Sequence, residues 1–169
     1  MENLVNMNKS FGSAFCGKKI FLTGHTGFKG AWLSEWLLSL GAKVTGYALP
    51  PETKPSLFTQ LGLQKRLTHI EGDIRDPAKL SKALHAAKPD FVFHLAAQAI
   101  VRESYDKPAE TFDINAMGAA HVLDALRRYN MQAGDLNHAI ATALAGEEVG
   151  TVIEGNRRFP IVVRLAEDA

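Results

Sequence analysis

Cysteine is almost absent from this chain: Cys16 is the only one in 169 residues. One thiol cannot close an internal disulfide or build a multi-cysteine metal site. A reducing, cytoplasmic setting is the simplest expectation. Net charge is nearly absent too, at +1 with histidines neutral. There is no broad positive field of the kind that draws nucleic acid or anionic membranes, so neither is expected as a partner. No apolar run approaches membrane-spanning length. The segment Met1 to Ser13 is rich in Asn and Ser. It lacks a basic start and an apolar stretch, so it does not read as a secretion signal. The six histidines show no metal-ligand spacing and Met131 stands alone, so no metal site is expected. His94, within an apolar run, reads as a core histidine.

What is present centres on Thr23-Gly24-His25-Thr26-Gly27-Phe28-Lys29-Gly30. The apolar run Lys19-Ile20-Phe21-Leu22 precedes it, and the amphipathic stretch from Ala31 to Leu38 follows. A strand, a turn with glycines three residues apart and a helix together seat a pyrophosphate on a helix N-terminus. Gly24 would let the chain leave the strand in a tight turn. Gly27 would let backbone amides approach phosphate, and Gly30 would let the helix pack closely on the sheet. The spacing is G-x-x-G-x-x-G, not the commoner G-x-G-x-x-G.

Further along, strands are expected over about 18–23, 43–47, 68–71 and 91–95. The last is a continuous apolar run, as in a parallel strand covered on both faces. Helical spacing places Trp32, Leu33, Trp36, Leu37 and Leu40 on one buried face of the first helix, which Gly41 closes. Asp76 reads as an N-cap with Pro77 at the first helical position, ahead of Leu80, Ala83, Leu84 and Ala87. A longer helix is expected from about Pro108 to Arg128, with Phe112, Ala116, Ala119, Val122, Leu123 and Leu126 inward. Strands alternating with helices give an α/β class: the N-terminal part of a doubly wound parallel (Rossmann) sheet. The pattern changes near Tyr129. A helix from Asp135 to Gly146 and a β-hairpin around Gly155-Asn156 follow, with Pro160 on an edge strand. Three segments are expected: a flexible extension over 1–16, a partial dinucleotide-binding domain over 17–128, and an unrelated α+β tail over 129–169.

Five motifs occur in order: the glycine segment, Gly72-Asp73-Ile74-Arg75-Asp76, Phe93-His94-Leu95-Ala96-Ala97-Gln98, Val101-Arg102-Glu103-Ser104-Tyr105 and Asn115-Ala116-Met117-Gly118. Together they resemble the extended short-chain dehydrogenase/reductase family. The H-T-G-F-K-G and V-R-x-S-Y wording is similar to the branch of CDP-glucose 4,6-dehydratases. The resemblance implies an NAD cofactor and, in a complete enzyme, a nucleotide-sugar substrate. It places Gly24, Thr26, Gly27, Phe28, Lys29 and Gly30 along the pyrophosphate, and Asp73 and Ile74 at the adenine. Leu95, Ala96, Ala97 and Gln98 fall where a doubly wound sheet opens its ligand crevice. The alternative for Asp73 is a loop-capping role. Asn115 either turns toward the crevice or is an ordinary solvated side chain. Arg102, Ser104 and Tyr105 either touch substrate or anchor a loop. Self-association as a homo-oligomer stays open.

Two departures matter. The acid expected at the end of the second strand, where it would hold a ribose 2′-OH, is replaced by Ala48-Leu49-Pro50. No arginine stands there for a 2′-phosphate, so NAD is favoured through the resemblance alone. The family's Tyr-x-x-x-Lys pair, whose lysine lowers the tyrosine pKa, is also missing: none of Tyr47, Tyr105 and Tyr129 has a lysine four positions on. No catalytic residue is assigned, and the resemblance is expected to stop before the catalytic half. The tail from Tyr129, through Asp135 to Gly150 and Val152 to Leu165, resembles a porter segment of heavy-metal efflux pumps of the resistance-nodulation-division family. A chimera joined near 127–131 is the expectation, with a non-functional fusion product as the bland alternative.

Overall fold

A computed structural model describes residues 13–127 and the strand backbones at 147–154 and 157–163. The chain divides into two compact units, Met1–Tyr129 and Asn130–Ala169. In the first, β1 (Lys19–Thr23), β2 (Lys43–Ala48), β3 (Thr68–Glu71) and β4 (Phe91–His94) form one parallel sheet in the order β3-β2-β1-β4. In the second, β5 (Glu147–Glu154) and β6 (Arg157–Val163) form an antiparallel pair in which Pro160 faces Thr151. The expected helix over 135–146 and the turn at Gly155-Asn156 lie outside the described residues.

The core follows from strand alternation. Ile20 and Leu22 of β1 face one layer with Val44 and Leu37, the latter from helix α1 (Phe28–Ser39). Phe21 faces the other layer with Tyr47. There, Leu80 and Leu84 of α3 (Pro77–Ala87) meet Val122 and Ala125 of α6 (Gly118–Arg127). Each such side chain taken from water contributes about 1.5–3 kcal/mol. α3 starts as its sequence specifies: the Asp76 carboxylate accepts from the Lys79 amide at 3.0 Å, with Pro77 at the first position. A short helix α2 (Leu57–Gln60), capped by Ser56, and a single 3₁₀ turn at Leu63–Lys65 add a third cluster around Phe58 and Leu63.

Three packing expectations are corrected. First, α1 buries Gly30, Ala31, Ser34 and Leu37, while Trp32 and Trp36 are about half exposed. Small residues hold the helix axis close to the sheet, and no indole fits in that gap. Second, β4 is an edge strand, so Val92 and Phe93 are only half-buried and Phe91 and His94 are exposed. Third, the helix expected from Pro108 is present as α5 (Pro108–Phe112) and α6 with a π turn at Asp113–Met117 between them, and a separate short helix, α4 (Val101–Asp106), precedes it. The wider turn shifts the inward stripe to Ile114, Gly118, Val122 and Ala125 and leaves Phe112 66% exposed.

Before β1, the ring of Phe15 lies 5.5 Å from that of Phe91 and 6.4 Å from that of Phe93. The residues just ahead of the sheet are thus packed onto β4.

Candidate functional site

The glycine loop leaves β1 at the C-terminal end of the sheet. Gly24 has φ +75°, and its amide donates to the Tyr47 carbonyl at 3.0 Å. A Cβ on Gly24 would come within 2.6 Å of the Ala96 amide nitrogen. A Cβ on Gly30 would meet the Gly24 carbonyl oxygen at 2.1 Å. These two glycines let loop, helix and β4 crossing close on one another, as their spacing implied. Gly27 is different: a Cβ there would make only an ordinary 3.4 Å contact. It is the extended N-cap of α1, and no side chain caps that helix. The start of α1, with its positive dipole end, is left free to take an anion.

Thr26 reaches sideways, its hydroxyl donating to the Leu49 carbonyl at 2.8 Å. It ties the loop to the end of β2, where the expected acid is missing. Phe28 is 72% exposed and Lys29 is exposed beside it.

Thr23 sets the opposite wall, and sequence reasoning missed it. Its hydroxyl oxygen accepts from the Leu95 and Ala96 amides at 3.1 and 3.2 Å. With both acceptor positions used, its proton goes to His94 Nδ1 at 2.7 Å. His94 is therefore the neutral Nε2–H tautomer; the residue is exposed overall, but partial burial of its ring lowers its pKa from the usual histidine value. The expected core histidine is a wall histidine on an open edge. The signal was available: a hydroxyl residue ends the strand just before the turn.

In the turn after β3, Asp73 is engaged by its neighbour. The Arg75 guanidinium contacts both carboxylate oxygens, with Nη2 at 2.6 Å, and the Arg75 backbone amide donates at 2.9 Å. The hydrogen bonds from the Arg75 side chain hold the Asp73 carboxyl below its ordinary pKa. Arg75 also reaches Glu110 at 3.4 Å. Ile74 turns inward and is only 4% exposed, with its side chain over Gly118 and its carbonyl 3.0 Å from His121 Nδ1.

Past β4, Gln98 and Asn115 form a closed pair. Asn115 Oδ1 accepts from the Gln98 amide at 2.8 Å, and its Nδ2 donates to the Gln98 carbonyl at 3.0 Å. The π turn brings Asn115 to that position. Asn115 thus holds the crevice loop rather than pointing a free amide into it. Gln98 Nε2 donates to Ile100 O and Glu103 Oε2, while its Oε1 is buried without a partner. Ala97 is exposed and Leu95 and Ala96 half-buried along this wall. Arg102, Ser104 and Tyr105 lie on α4 instead of a loop; Tyr105 is 81% exposed, and the Ser104 hydroxyl donates to Val101 O at 2.6 Å. Among the described residues no cluster of three metal-ligating side chains occurs, and no helix is long and apolar enough to cross a membrane.

Comparison with known proteins agrees with this architecture. A CDP-glucose 4,6-dehydratase of Salmonella typhimurium is 50% identical over 112 residues, covering 66% of this chain and 31% of that protein. A GDP-mannose 4,6-dehydratase of Vibrio cholerae is 33% identical over 129 residues, covering 68% of this chain and 32% of its own length. The chain thus spans about a third of the length of these curated relatives. The solved UDP-glucose 4-epimerase of Thermus thermophilus, a complex with NAD, superposes with a TM-score of 0.60 at 27% identity. That match covers 82% of this chain and 41% of the epimerase. The Thermotoga maritima UDP-glucose 4-epimerase, solved with UDP-glucose, gives a TM-score of 0.59 at 28% identity, covering 66% and 35%. The family model for GDP-mannose 4,6 dehydratase matches residues 21–146, past Arg128 where the sequence resemblance ends. The parallel sheet, the glycine loop and this match together place the chain in the GDP-mannose 4,6 dehydratase family.

Proposed function

We propose that residues 17–128 are the NAD-seating part of a nucleotide-sugar 4,6-dehydratase, with CDP-glucose as the sugar nucleotide of the complete protein. The observation that carries this is the glycine loop: a cradle that any Cβ on Gly24 or Gly30 would fill, opening onto an uncapped helix start. Bound NAD would supply the hydride acceptor for oxidation at the sugar C4 and return that hydride after loss of water. The chain's own residues supply binding. The backbone from Gly27 to Gly30 receives the pyrophosphate, with Thr26 fixing the loop to Leu49 and Phe28 and Lys29 flanking it. Asp73, already organised by Arg75, accepts from the adenine amine. Leu95, Ala96 and Ala97 leave room for ribose and nicotinamide beside Thr23, and Asn115 fixes Gln98 there. Arg102, Ser104 and Tyr105 stand toward the substrate side. No Tyr-x-x-x-Lys pair occurs in the sequence, so these 169 residues alone do not turn over the sugar. A cytoplasmic location suits a single free cysteine and a diffusible cofactor.

The test is thermal unfolding with and without NAD. A ligand that binds only the folded chain at a hundredfold excess over its Kd adds about 2.7 kcal/mol of stability. A transition unmoved by NAD overturns the cofactor assignment.

A second reading concerns residues 129–169 as a segment akin to a heavy-metal efflux porter. Its support is the sequence resemblance alone: the antiparallel pairing of β5 and β6 occurs in many folds and does not point to a porter, and the family match over residues 21–146 overlaps the start of the segment. A tail that neither binds a transition metal nor associates with such a pump rejects it.

A further inference from the structure

His25 follows Gly24 in the glycine loop, and its imidazole is fully buried. Its Nε2 lies 2.7 Å from His69 Nδ1 on β3. The Phe58 ring of α2 stands edge-on at 5.2 Å and contacts His69 at the same centroid distance. On β2, Gly46 makes the room: a Cβ there would come within 2.3 Å of the His25 ring. One loop residue is thereby fastened to β2, α2 and β3 at once.

The contact admits one proton. If both facing nitrogens carried hydrogen, two donors would meet at hydrogen-bond distance. The other His25 nitrogen, Nδ1, is buried with no hydrogen-bond partner. β2 presents Gly46 and the Tyr47 carbonyl, α2 presents Phe58, and β3 presents His69. None is a carboxylate. The Tyr47 carbonyl, which also accepts from the Gly24 amide, favours the charged ring but is outweighed by burial and by His69.

We propose that His25 and His69 form a neutral-imidazole latch that holds the glycine loop in its seating shape near neutral pH and releases it in acid. The direction agrees with titration: burial first and His69 second push the His25 pKa down to about 4. An opened loop returns the ring to water, where it titrates near 6.5, so protons favour the opened form. The functional meaning, acid-triggered loss of the dinucleotide seat, rests on the cofactor reading above; the latch does not.

The experiment uses the full chain without NAD. Amide hydrogen exchange would be followed for Gly24 and Gly27, whose N–H groups bond Tyr47 O and Gly24 O. Protection factors, corrected for intrinsic exchange, are expected to fall about tenfold from pH 7.5 to 5.5. His25→Phe removes the titration and should flatten that dependence. Should this variant not fold, imidazole NMR of the native chain decides: a His25 ring still neutral at pH 5.5 supports the latch. Flat protection with His25 titrating near 6.5 overturns it. NAD titration at pH 7.5 stands apart. A chain that shows the fall but never binds NAD keeps the latch and loses the cofactor reading; one that binds NAD with flat protection does the reverse.

Discussion

β1 has a strand on each side, and from Ile20 to Thr23 no residue exceeds 1% exposure, whereas its neighbour β4 has β1 alone and leaves Phe91 39% exposed. The contrast extends outward. Around β1 and β2 lie Gly24, Gly30 and Gly46, each with no space for a methyl group. Beyond β4 stand Ile100, Val101, Tyr105, Phe112 and Met117, all large and all exposed. On the first side, the proposed cofactor seat and the stability of the fold share the same close-packed backbone. On the second, apolar surface is held in place by polar pairs such as Gln98–Asn115 rather than by burial.

The largest test of that contrast is Gly30→Ala. The new methyl would meet the Gly24 carbonyl, so urea unfolding should show a loss of about 3 kcal/mol, and the NAD-dependent rise in Tm should vanish. Gly62→Ala is the control: φ is +62° but there is open space, so only left-handed strain of about 1 kcal/mol applies and NAD binding is kept.

A comparable loss should come from acid. His25 has a folded pKa of about 4 against 6.5 unfolded. The folded state binds the proton less readily, so the stabilisation is complete above pH 6.5 and is lost as pH falls toward 4. About 3 kcal/mol is involved, measurable as Tm against pH and absent from a His25→Phe chain that folds. Next comes Asp76→Ala, which removes the α3 cap and should cost about 1 kcal/mol by urea denaturation. The smallest effect belongs to the β4 side: Phe112→Ser should change stability by less than about 0.5 kcal/mol. A loss of several kcal/mol there would erase the distinction between the two sides.

The same division marks what the sequence made legible. Strand positions, the Asp76–Pro77 start of α3 and the Gly41 end of α1 are local signals, and each appears where its residues specify. Gly24 and Gly30 were readable because a glycine at a strand-to-helix turn has few other reasons to be there. Trp32, Trp36 and Phe112 misled because periodicity finds an apolar face without knowing how near its partner lies. The burial of β4 was overread for a related reason: an apolar run does not state how many strands flank it. Thr23, His25–His69 and Arg75–Asp73 depend on which atoms meet across strands or turns. No spacing rule in a single sequence encodes that.

One of the contacts that join the two sides is made at a glycine. α6 begins at Gly118, and a Cβ there would come within 2.5 Å of Ile74 Cδ1. The loop that positions Asp73 is thus seated on a helix start far away in the chain. Genetically, the two positions form one locus. A methyl added at Gly118 would also lie 2.8 Å from Ile74 Cγ1 but an ordinary 3.5 Å from its Cβ, so it should be answered by shortening Ile74 to Ala, and a screen for revertants of Gly118→Ala should return residue 74 before any position in the glycine loop.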